Sequence, residues 1–586
     1  MRLLACLLAV GVGVTQAARV VYDWNITYVN ANPDNLFERR VVGVNNAWPL
    51  PPIHVNIGDT LVINAHNSLD VPTSLHSHGM FQNNTPYMDG PVGVTQCAIP
   101  PNYNLTYEFN ITQHGSYWIH SHYMGQYMDG LRGPLILHNV NETYKYDEEM
   151  IVTVSDWYHK QSNDNLNTFM SVYNPTGAEP VPQSGIINDS ANTTFTFIPG
   201  KTYRLRLINM SGFSTFYISI DGHTLDIIEV DGVETQRTSV DSLYLTAAQR
   251  ISVLVTAKNN TDLNYYMHAD MATDMFDVMP DDLNPNITAP IYYNTNHQNF
   301  APSQDIGMAS PFDDFLLVPL VNASIPGPDQ SLNLTFNFEV TTDGINRGMF
   351  NELPYLQPKV PTLNTMLGMG NLSNNVDVYG PQSMAFMMKH LDFIEVAVSN
   401  FDAGNHPFHL HGHTFYMVGR GNGTWLGANA GTTEWFSNPM SRDTILIPSE
   451  TYVVLRFRAD NPGPWFFHCH IDWHLESGLA ATFIVAPDVA QQRMTLPQAF
   501  LDVCTAGGNP ATGNAAGKEG LDLSGAPSGV TLIYDGFTAK GKGAMAACIL
   551  CALIGMGSIV FYALSDPEKK ARAIADAKRQ GATPPS

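Results

Sequence analysis

The strongest constraint on how this chain folds is an internal repeat that relates its first third to its last third. The motif "HSHG" at residues 76–79 matches "HLHG" at 409–412, and "GSYWIHSH" at 115–122 matches "GPWFFHCH" at 463–470. Because matched motifs in the same order indicate copies of one structural unit, we expect these two thirds to fold alike. The middle third contains "YRLRLIN" and "DGHTLDIIEVDG" but no H-x-H motif.

The repeated units are predicted to be β-sandwiches. Short runs rich in Val, Ile, Tyr, Phe and Thr, such as "TLVINAHN" and "YVVLRFRA", are separated by Gly, Pro, Asn and Asp about every ten residues. Charged residues make up 14% of the chain, and helical periodicity is scarce before residue 540. The sequence therefore predicts an all-β protein with three domains, at 18–140, 141–305 and 306–490.

Both ends of the chain carry an apolar segment. Residues 1–17, "MRLLACLLAVGVGVTQA", are typical of a secretory signal peptide. The run from Ala544 to Leu564 carries no charge and is long enough to span a bilayer, which takes about 20 residues. A buried core helix is the alternative for this run. The Gly-, Ala- and Ser-rich composition of 505–540 predicts that 491–543 is a stalk.

The flanking charges predict the orientation of this span. Five basic residues follow it, so the tail 565–586 is expected in the cytoplasm: Lys569, Lys570, Arg572, Lys578 and Arg579. Fourteen N-x-S/T sequons, from Asn25 to Asn422, agree with a glycosylated exterior. We therefore expect a single-pass type I protein of the plasma membrane, with its three domains extracellular.

The net charge of −24 and the pI near 5.1 argue against a nucleic-acid partner and favour attraction of a small cation. Of six cysteines, Cys6 lies in the signal peptide and two lie in the span. If Cys469 binds a metal, Cys97 and Cys504 remain as a pair and are predicted to form a disulfide in an oxidising compartment. Two free thiols are the alternative.

Eight of the twenty histidines lie in the four matched H-x-H motifs. On an extended strand, positions i and i+2 share a face, so each motif directs two imidazoles toward one place. A single H-x-H motif is more often structural, but four in two matched pairs predict a shared metal cluster. Structural zinc usually takes four ligands that include thiolates, whereas sites rich in imidazole suit copper.

The stretch "WFFHCHIDWHLESGLAATF", residues 465–483, adds a second kind of metal site. If it is extended, His468 and His470 face one way and Cys469 faces the other. Together with His406 and His474, Cys469 makes a His2Cys set, which is the ligand pattern of blue copper. Leu479 stands ten residues after the cysteine and cannot coordinate, which predicts a copper of high reduction potential.

With these motifs, and with "HPFHLHGH" and "HCHIDWHLESGL", the sequence resembles the multicopper oxidases over about residues 20–490. The resemblance implies three cupredoxin-like Greek-key β-sandwich domains and four copper ions, one of type 1, one of type 2 and two of type 3. The type 1 ligands would be His406, Cys469 and His474, and the type 2 ligands His76 and His409. The type 3 pair would take His78, His120, His122, His411, His468 and His470.

The same resemblance implies a route for electrons and protons. Electrons would pass from the Cys469 copper through the backbone to the neighbouring histidines, where dioxygen is reduced to water. Asp89 and Asp472 resemble the acidic residues that supply protons, although a turn or strand-end aspartate is the alternative for each. At the position of Asp472 ferroxidases carry Glu and laccases usually carry Asp.

The electron donor is the next question, and Fe(II), a hard cation, would need carboxylate ligands near the type 1 copper. Asp402 lies four residues before the ligand His406, and Glu179, Asp282 and Tyr355 match positions that ferroxidases use for iron, while each could be an ordinary loop residue. The surroundings of Glu179, "GAEPVPQ", resemble the iron-uptake ferroxidases of fungal plasma membranes. In "PFDDFLLVPL", Asp313 and Asp314 resemble the acidic stretch with which those enzymes contact an iron permease.

The sequence therefore predicts a cell-surface multicopper ferroxidase that supports high-affinity iron uptake with a membrane permease as partner. Within the enzymes, the alternative is a membrane-tethered laccase that oxidises phenols or aromatic amines. The alternative of another class is a non-catalytic copper-binding protein. Against storage stands the cysteine that links two kinds of copper site, which storage does not need.

Overall fold

A computed structural model of the chain describes residues 17–281, 283–303, 312–533 and 539–581. These residues form two compact units, one that extends to Leu532 and one that begins at Ile533. The predicted signal peptide, except for its last residue, and Asp282 lie outside the described residues.

The first third of the chain forms two four-stranded sheets. Alternate exposed and buried positions along Asn104–Asn110 show the period of a strand with one face on a core. In the first sheet, the neighbouring strands are, in spatial order, Arg39–Val44, Arg19–Ala31, Thr60–Asn67 and Asn104–Asn110. The second sheet orders Ile53–Asn56, Arg132–His138, Gly115–His120 and His76–His78.

The middle third also forms two sheets. One sheet orders Ser184–Ile187, Glu148–Trp157, Thr202–Asn209, Arg250–Thr256, Leu225–Val230 and Val233–Val240. The other orders Phe195–Thr196, Asn286–Tyr292, Tyr265–Met271, Phe216–Ile220 and Ser242–Leu245.

The last third repeats the two-sheet arrangement. One sheet orders Asn346–Phe350, Gln330–Val340, Phe393–Asn400, Thr451–Arg458, Phe415–Asn422 and Glu434–Trp435, with Ser441–Arg442 paired to Phe415–Asn422. The other orders Ala385–Met388, Ala480–Val485, Gly463–Cys469, His406–Leu410 and Thr444–Ile447. The predicted all-β, cupredoxin-like fold is confirmed, while the exact domain boundaries stay predictions.

Helices are short outside the C-terminal unit. The α-helices are Ser162–Phe169, Thr362–Gly368, Asp472–Ser477, Pro487–Arg493, Gln498–Ala506, Ala539–Leu564 and Pro567–Arg579. The 3₁₀ helices are Pro86–Met88, Met124–Asp129, Asp314–Leu316, Gly370–Asn374 and Val376–Tyr379.

Most of the predicted stalk is packed against the sandwich domains. Cys504 forms the predicted disulfide with Cys97, which ties the helix Gln498–Ala506 to the first third of the chain. Further on, Asn514 is buried, and Leu532 pairs with Thr341 in an isolated β-bridge. The stalk prediction is therefore wrong through Leu532, because glycine and small residues there form tight turns on a core and not a free linker.

The C-terminal unit contains the predicted apolar helix. The candidate span runs from Lys540 to Leu564, 25 residues, and its side chains are exposed to the surroundings. A core helix would be buried, so the length and exposure fit a single-pass membrane anchor.

Candidate metal centres

The three residues of the predicted His2Cys set converge in the last third. His406 begins the strand His406–Leu410, Cys469 ends the neighbouring strand Gly463–Cys469, and His474 lies in the helix that follows. The Cys469 Sγ lies 3.8 Å from His406 Nδ1 and 3.5 Å from His474 Nδ1. The two Nδ1 atoms are 3.0 Å apart, and all three side chains are buried.

The opposite nitrogens of the two imidazoles are held by carboxylates. His406 Nε2 donates to Asp402 Oδ2 at 3.0 Å, and His474 Nε2 donates to Glu179 Oε1 at 2.7 Å. With the protons on Nε2, both Nδ1 lone pairs point toward the sulfur, as in metal sites where a carboxylate orients a histidine ligand. The residues therefore fit a copper ion.

The electrostatics of this pocket agree with a bound cation. Burial raises the pKa of the Cys469 thiol well above its ordinary value, so a thiolate there needs a positive partner. Burial lowers the pKa of His406 to about 4, which keeps its ring neutral and able to coordinate. Burial opposes ionisation of Asp402, but the hydrogen bond and charge attraction from His406, together with the Gly404 N–H, outweigh it and lower the pKa of Asp402 to about 2.

Leu479 closes the turn that joins two of these ligands. Its N–H donates to the His474 carbonyl at 3.0 Å, and its carbonyl accepts from the Cys469 N–H at 3.2 Å. The side chain is fully buried. These bonds hold the Leu479 backbone against two residues of the His2Cys set, and its role as the non-coordinating axial residue stays a prediction.

Replacing Leu479 with methionine is expected to lower the reduction potential of the His2Cys copper. An added thioether donates electron density and stabilises the oxidised ion more than the reduced one. The measurement is a redox titration of the blue absorption band, with Leu479→Ile as a control that adds no donor. An unchanged potential in Leu479→Met would contradict the axial assignment.

The eight histidines of the four H-x-H motifs form one cluster where the first and last thirds meet. Strand register explains the convergence, because His76 pairs with His120 and His409 pairs with His468. Across the thirds, the rings of His78 and His409 have centroids 3.7 Å apart, and those of His76 and His411 are 4.2 Å apart. The ligand atoms of three histidine triads lie within 4.8 Å of one another: His122, His411 and His468; His76, His78 and His120; His76, His409 and His411.

The hydrogen bonds of these rings leave lone pairs aimed into the cluster. His76 Nδ1 bonds to the Asp89 carbonyl at 2.6 Å, His120 Nδ1 to the Ser121 carbonyl at 2.9 Å, and His409 Nδ1 to the Asp443 carbonyl at 2.9 Å. Among the residues that the structure describes, the Nε2 atoms of these three rings have no hydrogen-bond partner. Buried polar atoms rarely stay unpaired, so these fit metal ligands.

Burial also keeps six rings of the cluster uncharged. Desolvation lowers the pKa well below its ordinary value for six of the rings, namely His78, His120, His122, His411, His468 and His470. Neutral imidazole is the form that coordinates a metal. The sequence-predicted type 3 ligands are these same six residues.

Two predicted acidic residues lie beside the cluster, on different sides. Asp89 is fully buried, and its Oδ2 accepts from His411 Nδ1 at 2.9 Å. Asp472 lines a small cavity together with His120, His122 and Glu476. Burial, followed by repulsion from Glu476, raises the pKa of Asp472 well above its ordinary range, so it can hold a proton there.

Glu476 is a buried acid that the sequence-based prediction missed. Burial raises its pKa to about 7. It stands in "HLESGL", one helical turn after Asp472, so the i, i+4 spacing within the helix was the available signal.

The predicted iron residues Glu179 and Asp402 line one cavity of about 230 Å³ beside the His2Cys set. Asp274 and Asp277 line the same cavity and were missed by the sequence-based prediction. They belong to the acidic segment "DMFDVMPDDL", from which Asp282 was chosen.

Two other sequence-based assignments concern Tyr355 and the pair Asp313 and Asp314. The Tyr355 ring packs against Phe466 with its hydroxyl buried, and Tyr355 does not line the acidic cavity, so its part in iron binding stays a prediction. Asp314 is buried against Arg442, which excludes it from a docking surface, whereas Asp313 is partly exposed and pairs with Arg420 at 2.7 Å. Composition shows that these residues are polar or aromatic, but not which way they face.

Fold and metal centres together define a copper-dependent oxidoreductase built from cupredoxin-like domains. Family models described as multicopper oxidase match residues 25–142, 148–296 and 355–489. The chain belongs to the multicopper oxidase family, as the sequence motifs predicted.

Curated relatives and solved structures cover most of the chain. The iron transport multicopper oxidase fio1 of Schizosaccharomyces pombe is 45% identical over 93% of this chain and 89% of its own. The iron transport multicopper oxidase fetC of Epichloe festucae is 43% identical over 97% of this chain and 93% of its own. The crystal structure of Fet3p, a multicopper oxidase that functions in iron import, matches with a TM-score of 0.84 and 37% identity, covering 89% of this chain and 100% of that one. The laccase of Botrytis aclada matches with a TM-score of 0.74 and 27% identity, over 84% of this chain and 93% of that one.

Proposed function

We propose that this protein is a cell-surface ferroxidase that oxidises Fe(II) to Fe(III), reduces dioxygen to water and supports high-affinity iron uptake. The observation that carries the proposal is the acidic cavity whose carboxylates bond directly to both imidazoles of the His2Cys set. Four Fe(II) ions supply four electrons, and one dioxygen with four protons becomes two waters.

The cavity suits a hard divalent cation. Four carboxylates line it, from Glu179, Asp274, Asp277 and Asp402. Oxygen ligands of this kind are those that hard cations prefer. Asp402 is ionised over the physiological range because its pKa is held at about 2, so the cavity keeps negative charge when no cation is bound.

The cavity also lies on a direct route to the copper site. Glu179 Oε1 is 2.7 Å from His474 Nε2, and the Nδ1 of the same ring faces Cys469 Sγ at 3.5 Å. One hydrogen bond therefore connects Glu179, as a cation ligand, to His474, which is itself a predicted copper ligand. Asp402 and His406 form a second route of the same kind.

On the oxygen side, four bound copper ions would supply one-electron redox chemistry, one at the His2Cys set and three at the histidine cluster. Asp89 holds the His411 ring through its carboxylate and the His76 ring through its carbonyl. Asp472, kept protonated by burial, can donate a proton into the cavity beside His120 and His122. Glu476, which lines the same cavity, can then donate a proton back to Asp472.

The relatives support iron as the donor, since fio1 and fetC are both named for iron transport. The helix Ala539–Leu564 would anchor the enzyme in the plasma membrane as a type I protein. A membrane iron permease is the proposed partner, and Asp313 is the candidate contact that remains exposed.

The test is oxygen consumption by the purified, copper-loaded protein with Fe(II) as donor, together with copper analysis. We expect four coppers per chain and four Fe(II) oxidised per dioxygen, without release of hydrogen peroxide. Turnover of phenols without turnover of Fe(II) would favour the laccase alternative. Four coppers with no oxygen uptake from any donor would favour a copper-binding protein.

A further inference from the structure

Asp443 lies between the two halves of the histidine cluster, outside any H-x-H motif. Its Oδ1 is 3.3 Å from His78 Nε2, a ring from the first third of the chain. Its backbone carbonyl accepts a hydrogen bond from His409 Nδ1, a ring from the last third, at 2.9 Å. Asp443 is buried, with 1% of its surface exposed. One residue therefore contacts an imidazole from each half of the cluster.

Arg250 of the middle third binds this aspartate with both ends of its guanidinium group. Its Nη1 donates to Asp443 Oδ1 at 2.7 Å and its Nη2 donates to Oδ2 at 2.6 Å. Paired bonds of this geometry fix orientation as well as charge. Because the arginine engages both carboxylate oxygens, the Asp443 side chain is held in one orientation beside the imidazoles.

The position of Arg250 is itself fixed from three sides. Its Nε donates to the Ser116 carbonyl at 3.1 Å, and its guanidinium lies 5.3 Å from the centre of the Tyr117 ring. Asp231 accepts from the Arg250 N–H at 3.0 Å and from the Thr444 N–H at 3.1 Å. The middle third, which contributes no H-x-H motif, is thereby joined to the strand that follows Asp443.

This pair also accounts for the glycine that ends the first "HSHG" motif. At Gly79, φ is +88°, and an added Cβ would lie 2.6 Å from Arg250 Nη2 and 2.8 Å from Asp443 Oδ2. The matched glycine, Gly412, is needed for another reason, because a Cβ there would lie 2.2 Å from the Trp465 ring. Both copies of the motif therefore have glycine at this position for different reasons. At Gly79 the missing side chain leaves room for the Arg250–Asp443 ion pair.

We infer that Arg250 and Asp443 are positioning residues through which the middle third sets the copper affinity of the histidine cluster. The inference rests on the copper assignment of the proposed function. With Asp443 facing His78 Nε2, the proton of that ring is held on Nε2, and Nδ1 is left free for a metal. Loss of such outer partners typically costs about 10–100-fold in metal affinity.

The test compares Arg250→Gln and Asp443→Asn with Arg442→Gln. Arg442 is a matched control, since it is the neighbour of Asp443, is equally buried and forms an ion pair from the last third to Asp314. Each purified, copper-loaded protein is dialysed against a graded copper chelator. Copper per chain, the type 2 electron paramagnetic resonance signal and the blue band are measured at each step, with the melting temperature as a check on folding.

We expect Arg250→Gln and Asp443→Asn to lose copper from the histidine cluster at chelator concentrations about 10–100-fold lower than wild type, with the blue band retained. Arg250→Lys, which keeps the charge but loses the paired bonds, should fall between them and wild type. Arg442→Gln should lower the melting temperature but keep the wild-type order of copper loss. If Arg250→Gln and Asp443→Asn lose copper as Arg442→Gln does, the inference is wrong. A wild-type protein that binds no copper would instead overturn the proposed function.

Discussion

Replacing Cys469 with serine is expected to remove the blue absorption band and to abolish oxidation of every donor. The Cys469 sulfur faces both Nδ1 atoms of the His2Cys set, and a serine hydroxyl does not ionise to replace a thiolate. Loss of partners that only orient a ligand costs about 10–100-fold, so loss of the ligand itself should lower turnover by more than about 100-fold. Steady-state oxygen uptake with Fe(II) and with a phenol measures this.

The same variant has an internal control on the other side of the strand. His468 and His470 flank Cys469 but belong to the histidine cluster, where His468 Nε2 lies 3.0 Å from His411 Nε2. The type 2 signal should therefore persist, and copper per chain should fall by one. Persistence of the blue band in Cys469→Ser would show that the His2Cys assignment is wrong.

The metal centres could be predicted from sequence because their geometry is local. On a strand, residues two apart share a face, so each H-x-H motif already places two imidazoles together, and Cys469 must face the other way. The structure adds the register, in which Phe408 pairs with Cys469 and His409 with His468. Because neighbouring residues on a strand face opposite sides, this register directs Cys469 to one face of the sheet and His409 and His468 to the other.

The supporting residues could not be predicted in the same way. Arg250 and Asp443 are 193 positions apart, and neither stands in a repeated motif. Their contact depends on how the middle third packs against the last, which no local period encodes. The sequence shows a glycine at position 79, but only the structure shows why a larger residue would not fit there: the Arg250–Asp443 ion pair lies too close for a Cβ atom.

Loop residues were the weakest sequence-based assignments for a related reason. The segment "DMFDVMPDDL" contains four acids, and a loop has no fixed period that decides which of them face a cavity. The structure places Asp274 and Asp277 at the cavity, whereas Asp282 lies outside the described residues. Likewise, the small residues after Cys504 predict a stalk, but the Cys97–Cys504 disulfide, the buried Asn514 and the bridge between Thr341 and Leu532 hold this segment to the sandwich domains.

Replacing Glu179 with alanine is expected to lower kcat/KM for Fe(II) by about 10-fold or more beyond any loss for a phenol, since loss of the His474 partner acts on both donors and loss of the cation ligand acts on Fe(II) alone. Glu179 contributes a carboxylate to the cavity and bonds to His474, so the variant loses both a cation ligand and the shortest route to the copper site. A phenol is uncharged at neutral pH and does not need a carboxylate cage. The measurement is steady-state oxygen uptake with each donor in wild type and variant.

Asp277→Ala is the matched control, because Asp277 lines the same cavity while Glu179 is the residue that bonds to His474. Loss of Asp277 should raise KM for Fe(II) with kcat nearly unchanged, since it removes binding charge and leaves the route to copper intact. Loss of Glu179 should lower kcat as well, and a redox titration of the blue band separates a shifted copper potential from a lost route. Equal losses for Fe(II) and phenol in Glu179→Ala would mean that the residue supports the copper site in general, and the cavity would then not be the iron site.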